Sequence, residues 1–274
     1  MPELPEVETI VRGLARRVVD DTIASVWIGS RPQVLRSPAA EIARTLEGAR
    51  ILAVTRAGKH IVFELKRSAK KAAAALRAHW VVHLGMTGRV VVCAPEEEVA
   101  KHTHLVATLG SGRELRFIDP RMFGKLSVQA AAFDPGGLEP LDVDEQTFIK
   151  LFRGRKTPIK SALLNQKLLR GVGNIYADES LFRAGIRPRR RASAITHAEF
   201  GKLYKAVREV LRDAIDLGGS SVSDYVDADG EEGFFQLRHR VYGRTDERCL
   251  ICKTPIRRVV ISGRSSHYCP RCQK

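Results

Sequence analysis

Acidic residues are scarce in the second half of this 274-residue chain. Residues 150–274 hold 13 Asp and Glu against 26 Lys and Arg, whereas residues 1–149 hold 18 against 20. The net charge of +15 therefore belongs almost wholly to one half, and a basic excess so confined points to a polyanion as partner. No apolar run is long enough to span a bilayer, which excludes a membrane-spanning helix. The opening "MPELPEVETI" lacks the basic and apolar regions of a secretory leader, so the expected address is the cytoplasm. No internal repeat or low-complexity tract interrupts a globular composition of 44% hydrophobic and 28% charged residues.

The order of residue patterns divides the chain. Pro5, Glu6 and Glu8 suit the first turns of a helix, and Val7, Ile10, Val11, Leu14 and Val18 fall on one face of it. Eight runs rich in Val, Ile and Phe follow, namely "TIASVWI", "RILAVTR", "HIVFEL", "WVVHLGM", "RVVVCA", "THLVATL", "ELRFID" and "GKLSVQ". With turn residues between them, they predict an antiparallel sandwich or barrel. The Ala/Lys-rich "KRSAKKAAAALRAHW" favours a short helix or an exposed excursion. "FDPGGLEPLD" reads as a linker. From about Glu145 the period becomes helical, then "GGSSVSDYVDADGEEG" reads as a long loop ahead of a cysteine-bearing tail. The expected boundaries are a β-sandwich at 1–133, a linker at 134–147, a helical domain with its loop at 148–236 and a metal hairpin at 237–274.

Cys249 and Cys252 form one C-x-x-C and Cys269 and Cys272 a second, with sixteen residues between the pairs. That spacing matches one structural zinc held by four thiolates, with no open position for catalysis. Four reduced thiols or two disulfides are the alternatives, and disulfides do not suit a cytoplasmic protein. Cys93 reads as a small core residue. Between the pairs, two β-like runs flank "SGR" and carry Arg257, Arg258 and Arg264, of which a tip arginine can reach phosphate or remain a solvated turn residue. In "LLRGVGNIYADESLF", Gly171 and Gly173 allow close backbone approach and Asn174 can cap the next helix. Lys156, Lys160, Lys167 and Arg170 around it put phosphate binding there on a par with a plain connection between helices.

"PELPEVE", "GVGNIYADESLFRAGI" and the four-cysteine hairpin occur in one chain and one order. Together they resemble the bacterial formamidopyrimidine-DNA glycosylases, and the resemblance covers essentially the whole chain. It implies an α+β multidomain protein: an N-terminal helix with an antiparallel β-sandwich, a helix-two-turn-helix domain and a zinc-finger hairpin. It also implies excision of oxidised purines, 8-oxoguanine and formamidopyrimidines, from double-stranded DNA by a monomer in the bacterial cytoplasm, associated with the nucleoid through DNA. The alanine/lysine stretch near residues 67–78 stands as an insertion relative to the family pattern.

By that resemblance Pro2, once Met1 is removed, presents a secondary amine that attacks C1′ of the damaged nucleotide and forms a Schiff base. A free α-amine has a pKa of about 8, so part of it is neutral and nucleophilic in the cell. Glu3 matches the general acid. Glu6 matches a further acidic position, with helix-dipole stabilisation as its alternative. Lys59 matches a lysine that assists β-elimination, and Arg264 the arginine of δ-elimination. His102, Arg121, Arg155, Lys160 and Asn174 match or accompany DNA contacts, although Arg155 stands where the family often has lysine. Met86, Arg121 and Phe123 match the triad that fills the hole left by an extruded base, and core packing is the alternative for Met86 and Phe123. Glu179, Ser220 and Tyr225 are candidates for the base pocket. Two rival readings remain: a pyrimidine-directed endonuclease VIII-like glycosylase, whose N-terminal motif has glycine where this chain has Leu4, and a non-enzymatic zinc DNA-binding protein.

Overall fold

The computed structural model describes residues 1–67, 76–221 and 232–274. Two compact units emerge: Met1–Asp134 with the described ends of 218–233, and Pro135–Leu217 with Phe234–Lys274.

The first unit opens with helix α1, Leu4–Val18. Pro5 occupies its first turn, with Glu6 at the positive end and Arg16 and Arg17 at the negative end of the dipole. The stripe of Val7, Ile10, Val11, Leu14 and Val18 is buried, as helical spacing requires. Its partners are eight strands: β1 (Ile23–Ile28), β2 (Ala49–Ala57), β3 (His60–Arg67), β4 (Leu76–His83), β5 (Arg89–Cys93), β6 (Thr103–Leu109), β7 (Glu114–Ile118) and β8 (Lys125–Gln129). They form two antiparallel sheets, ordered β1-β6-β7-β5 and β2-β3-β4-β8. Leu105, Leu115 and Phe117 of the first sheet and Ile51, Phe63, Trp80 and Leu126 of the second share one core with α1. Phe63 and Trp80 stack there with ring centroids 4.5 Å apart.

All eight β-rich runs become strands. Two segments depart from the sequence reading. Ala39–Leu46 is a helix, α2, which buries Ile42 and Leu46 and which so short an apolar pattern does not announce. In the Ala/Lys stretch, Arg67 pairs with Leu76 and residues 76–78 belong to β4, so a helix reaching them is excluded. Residues 68–75 lie outside the described residues.

The second unit contains α3 (Glu145–Phe152), α4 (Ile159–Leu163), α5 (Asn174–Ala184) and α6 (His197–Asp216). Asp144 caps α3 by accepting the Thr147 N–H, and Thr196 with Glu199 forms a reciprocal capping box on α6. The segment read as a linker is engaged in this unit. Leu138 donates its N–H to the Leu168 carbonyl and accepts from the Arg170 N–H, and Arg170 pairs with Glu139 at 2.9 Å. A hairpin of β9 (Arg257–Ile261) and β10 (Arg264–Tyr268) turns on Ser262 and Gly263, both at positive φ, as a two-residue turn demands.

Candidate active site and metal centre

Pro2 is buried, and Glu3, also buried, takes the cap position of α1. The Glu6 carboxylate is shared between two backbone donors. Its Oε2 accepts the Glu3 N–H and its Oε1 accepts the Ser220 N–H, each at 2.8 Å. Gly219 makes this approach possible: at φ +86° a side chain is strained, and a Cβ there would lie 2.9 Å from Glu6 Cγ. Glu6 thus joins the start of α1 to the start of the loop after α6, in keeping with the place of Gly218–Ser221 in the first unit. Ser220, a base-pocket candidate, is buried with its N–H engaged in this way. Tyr225 lies outside the described residues.

Lys59 stands in the tight turn between β2 and β3 and is buried. Arg56 ties that turn to α1, donating to Glu8 at 2.8 Å and to the Gly58 carbonyl at 3.1 Å. Burial by itself raises the Glu8 pKa, but the hydrogen bonds and charges of Arg56 and Arg12 outweigh it and hold the carboxyl below its ordinary value.

Met86, Arg121 and Phe123 are brought together on two abutting turns. Gly85 packs backbone against backbone: a Cβ there would lie 2.5 Å from both the Phe123 carbonyl carbon and the Gly124 nitrogen. Met86 and Phe123 are 40% and 51% exposed, which removes the core-packing alternative for both. The Arg121 guanidinium carbon lies 4.9 Å from the Phe123 ring centroid. The group that organises these turns is Asp119, which sequence reasoning missed. Its buried carboxylate accepts from Thr87 Oγ1 at 2.6 Å, from the Gly124 N–H at 2.7 Å and from the Arg121 N–H at 3.3 Å. Asp ahead of Pro and Gly in "DPRMFG" is the local signal that could have found it, as an aspartate that bonds backbone downstream. His102 is half-buried beside this turn and its carbonyl accepts the Asp119 N–H. His104 is buried, with Nε2 on the Asp119 carbonyl at 2.9 Å.

In the second unit, Asn174 is the first residue of α5 and Gly173 holds the cap position, so the asparagine does not cap the helix. Its Nδ2 lies 3.5 Å from Ser265 Oγ, and its Oδ1 is buried without a hydrogen-bond partner. Lys160 is corrected as a DNA contact. It is fully buried, with Nζ 2.7 Å from Asp178 Oδ1 and donating to the Ser265 carbonyl at 2.7 Å, so its charge cannot reach a phosphate. Asp178 Oδ2 in turn accepts the His267 N–H at 2.8 Å, and the pair fastens β10 to α5. Glu179, a base-pocket candidate, is buried. Its carboxylate accepts from the N–H groups of Arg240, Val241 and Tyr242 at 2.8 to 3.0 Å. Burial pushes the Glu179 pKa up in spite of these three bonds. Arg155 is exposed, with Nε on the Leu151 carbonyl, and Arg264 is exposed at the start of β10.

The four sulfurs of Cys249, Cys252, Cys269 and Cys272 lie within 4.8 Å of one another. Cys249 and Cys272 are 3.9 Å apart and Cys252 and Cys269 3.4 Å. A tetrahedron with Zn–S bonds of about 2.3 Å has sulfur separations of about 3.8 Å, so the donor set fits zinc. Phe182, Val241 and Ile256 pack around the cysteines and shield them.

Residues 1–126 match the formamidopyrimidine-DNA glycosylase N-terminal domain, residues 137–226 the H2TH domain of the same enzymes, and residues 246–274 a zinc finger found in FPG and IleRS. A Solibacter usitatus formamidopyrimidine-DNA glycosylase is 46% identical over 286 residues, covering all of both chains. Among solved structures, wild-type Lactococcus lactis Fpg bound to DNA containing N7-benzyl-Fapy-dG superposes with a TM-score of 0.88 at 31% identity, covering all of both chains. The Lactococcus lactis Fpg complex with abasic-site DNA gives 0.87 at 31% identity over 99% of each chain.

Proposed function

The chain belongs to the formamidopyrimidine-DNA glycosylase family, and from that premise we propose that it excises oxidised purines from duplex DNA and then cuts the strand by β,δ-elimination. The observation that carries this reading is the start of α1. Pro2 stands beside the positive end of the helix, next to buried Glu3, whose N–H is held by Glu6.

After removal of Met1, the Pro2 nitrogen attacks C1′ of the damaged nucleotide and the glycosidic bond breaks, with the base as leaving group. Glu3 supplies the proton that opens the sugar. The resulting iminium draws electrons from C2′, the 2′-proton leaves, and the 3′-phosphate departs. Lys59 assists this β-elimination. Arg264 assists the second elimination, at the 5′ side. Met86 and Phe123 fill the space vacated by the extruded base, while Arg121, which only donates, satisfies acceptors of the orphaned cytosine. His102, Arg155 and Asn174 contact phosphates.

The four cysteines would hold one zinc, which supplies folding energy to the hairpin and takes no part in the chemistry. The enzyme works as a monomer on DNA in the cytoplasm. Among the described residues no helix is long and apolar enough to cross a membrane.

Borohydride reduction during reaction with an 8-oxoguanine:cytosine duplex tests the mechanism. The expected result is a protein–DNA adduct that peptide mapping places on Pro2. An adduct on Lys59, or none despite base release, overturns it.

A further inference from the structure

Beside the wedge turns lies a hollow of about 320 Å³, of whose lining only His102 carries a role above. Its walls include Trp27, Arg31, Lys101 and His102, with Pro120 and Met122 from the turn that carries Arg121. We propose that this hollow is a binding subsite for the phosphodiester backbone of duplex DNA flanking the lesion. In it Arg31 and Lys101 meet phosphates and the Trp27 indole packs on deoxyribose. The proposal rests on the reading of the protein as a DNA glycosylase and extends its footprint beyond the wedge.

Three observations carry it. First, Trp27 is 54% exposed although it lies within strand β1, paired with Val106, so its backbone is held rigidly. A half-exposed indole on a fixed strand offers a partner a large, rigid contact surface with a polar N–H at its edge. Its ring reaches Gly29, where a Cβ would lie 3.3 Å from the indole Cη2. Secondly, Arg31 and Lys101 are exposed on the walls of the same hollow, and among the described residues no carboxylate lines it. Cations interleaved with an aromatic face are the chemistry that tracks a sugar–phosphate chain. Thirdly, Pro120 and Met122 flank Arg121 in sequence, so a strand engaged by Arg121 has its neighbouring phosphates within reach of this wall.

The two tryptophans provide the test. Trp80 is fully buried, so collisional quenching by acrylamide reads Trp27. Saturating the enzyme with a duplex that carries a non-hydrolysable abasic analogue should lower the quenching constant several-fold, saturation being followed separately by anisotropy of labelled DNA. The double variant Arg31→Ala/Lys101→Ala should unfold at the wild-type temperature. It should reduce the slope of log affinity against log salt by about 2, one for each phosphate no longer neutralised. If DNA binds to saturation while Trp27 remains as quenchable as in the free protein, or if the double variant keeps the wild-type salt slope, the subsite is wrong and the glycosylase reading stands. Protection of Trp27 by inorganic phosphate equal to that by duplex also overturns it, since the hollow would then be a simple anion trap. Failure to bind damaged duplex at all removes both readings.

Discussion

Replacing Asp119 by alanine should damage both stability and the reading of the orphaned base. The carboxylate is fully buried and accepts two short hydrogen bonds, 2.6 Å from Thr87 and 2.7 Å from the Gly124 N–H, with a weaker one of 3.3 Å from Arg121. A hydrogen bond to a charged group contributes about 1.5–3 kcal/mol, and truncation also leaves the buried Gly124 N–H without an acceptor. Two strong bonds and a weak one, discounted for non-additivity, give a loss of about 3–5 kcal/mol. Domain stabilities are about 5–15 kcal/mol, so the variant should fold, with its melting temperature lowered by roughly 10 °C. The released turns would no longer hold Arg121 and Phe123 against Met86. Calorimetry should show the lowered transition, and single-turnover excision should show a reduced preference for cytosine over adenine opposite the lesion. Asp119→Asn should be intermediate, because its amide can accept through one oxygen only and presents an NH₂ to donors. A variant Asp119→Ala with wild-type melting temperature and unchanged partner preference would refute this account of how the turns are held together.

Arg121→Ala removes an exposed side chain, so it should melt as wild type while excision opposite cytosine falls. Unchanged discrimination against adenine, measured with paired duplexes, contradicts the orphan-base role. Cys249→Ser should lose the metal, read by atomic absorption, and weaken duplex binding because the hairpin folds around the ion. Full binding by metal-free protein contradicts this. His83 adds a pH dependence. Its pKa is lowered to about 4, by burial first and then by the charges of His60, Lys59 and Lys125. Its Nδ1, neutral, accepts the Gly85 N–H at 3.2 Å. Between pH 6.5 and 4 the unfolded chain binds a proton that the folded protein refuses, so stability is complete above 6.5 and declines as pH falls, by up to about 3 kcal/mol. Denaturant titrations of His83→Asn should show a flatter acid limb, and an unaltered limb contradicts the assignment.

Local periodicity and spacing by themselves determined much of this protein. The helical stripe from Val7 to Val18, the Val-, Ile- and Phe-rich β runs and the two C-x-x-C pairs are each encoded within a few residues, where backbone geometry and ligand reach act directly. The pairing of Pro2 with Glu3, and the triad of Met86, Arg121 and Phe123, came only from the family resemblance, because helical spacing leaves the first two outside the stripe and core packing was the alternative for Met86 and Phe123. Tertiary structure decided which charges face water. Lys160 and Lys59 are both buried, whereas Arg121 and Arg264 are exposed, and nothing in their immediate neighbours distinguishes them. Lys160 is buried because Asp178, eighteen residues further on, lies 2.7 Å from it, and Glu179 is engaged because residues 240–242 return past α5. The bond from Glu6 to Ser220 joins positions 214 residues apart. Burial, and with it the choice between a charge that binds DNA and one that holds the protein together, depends on what the folded chain places alongside each side chain. Contacts of that kind leave no periodic trace in the sequence.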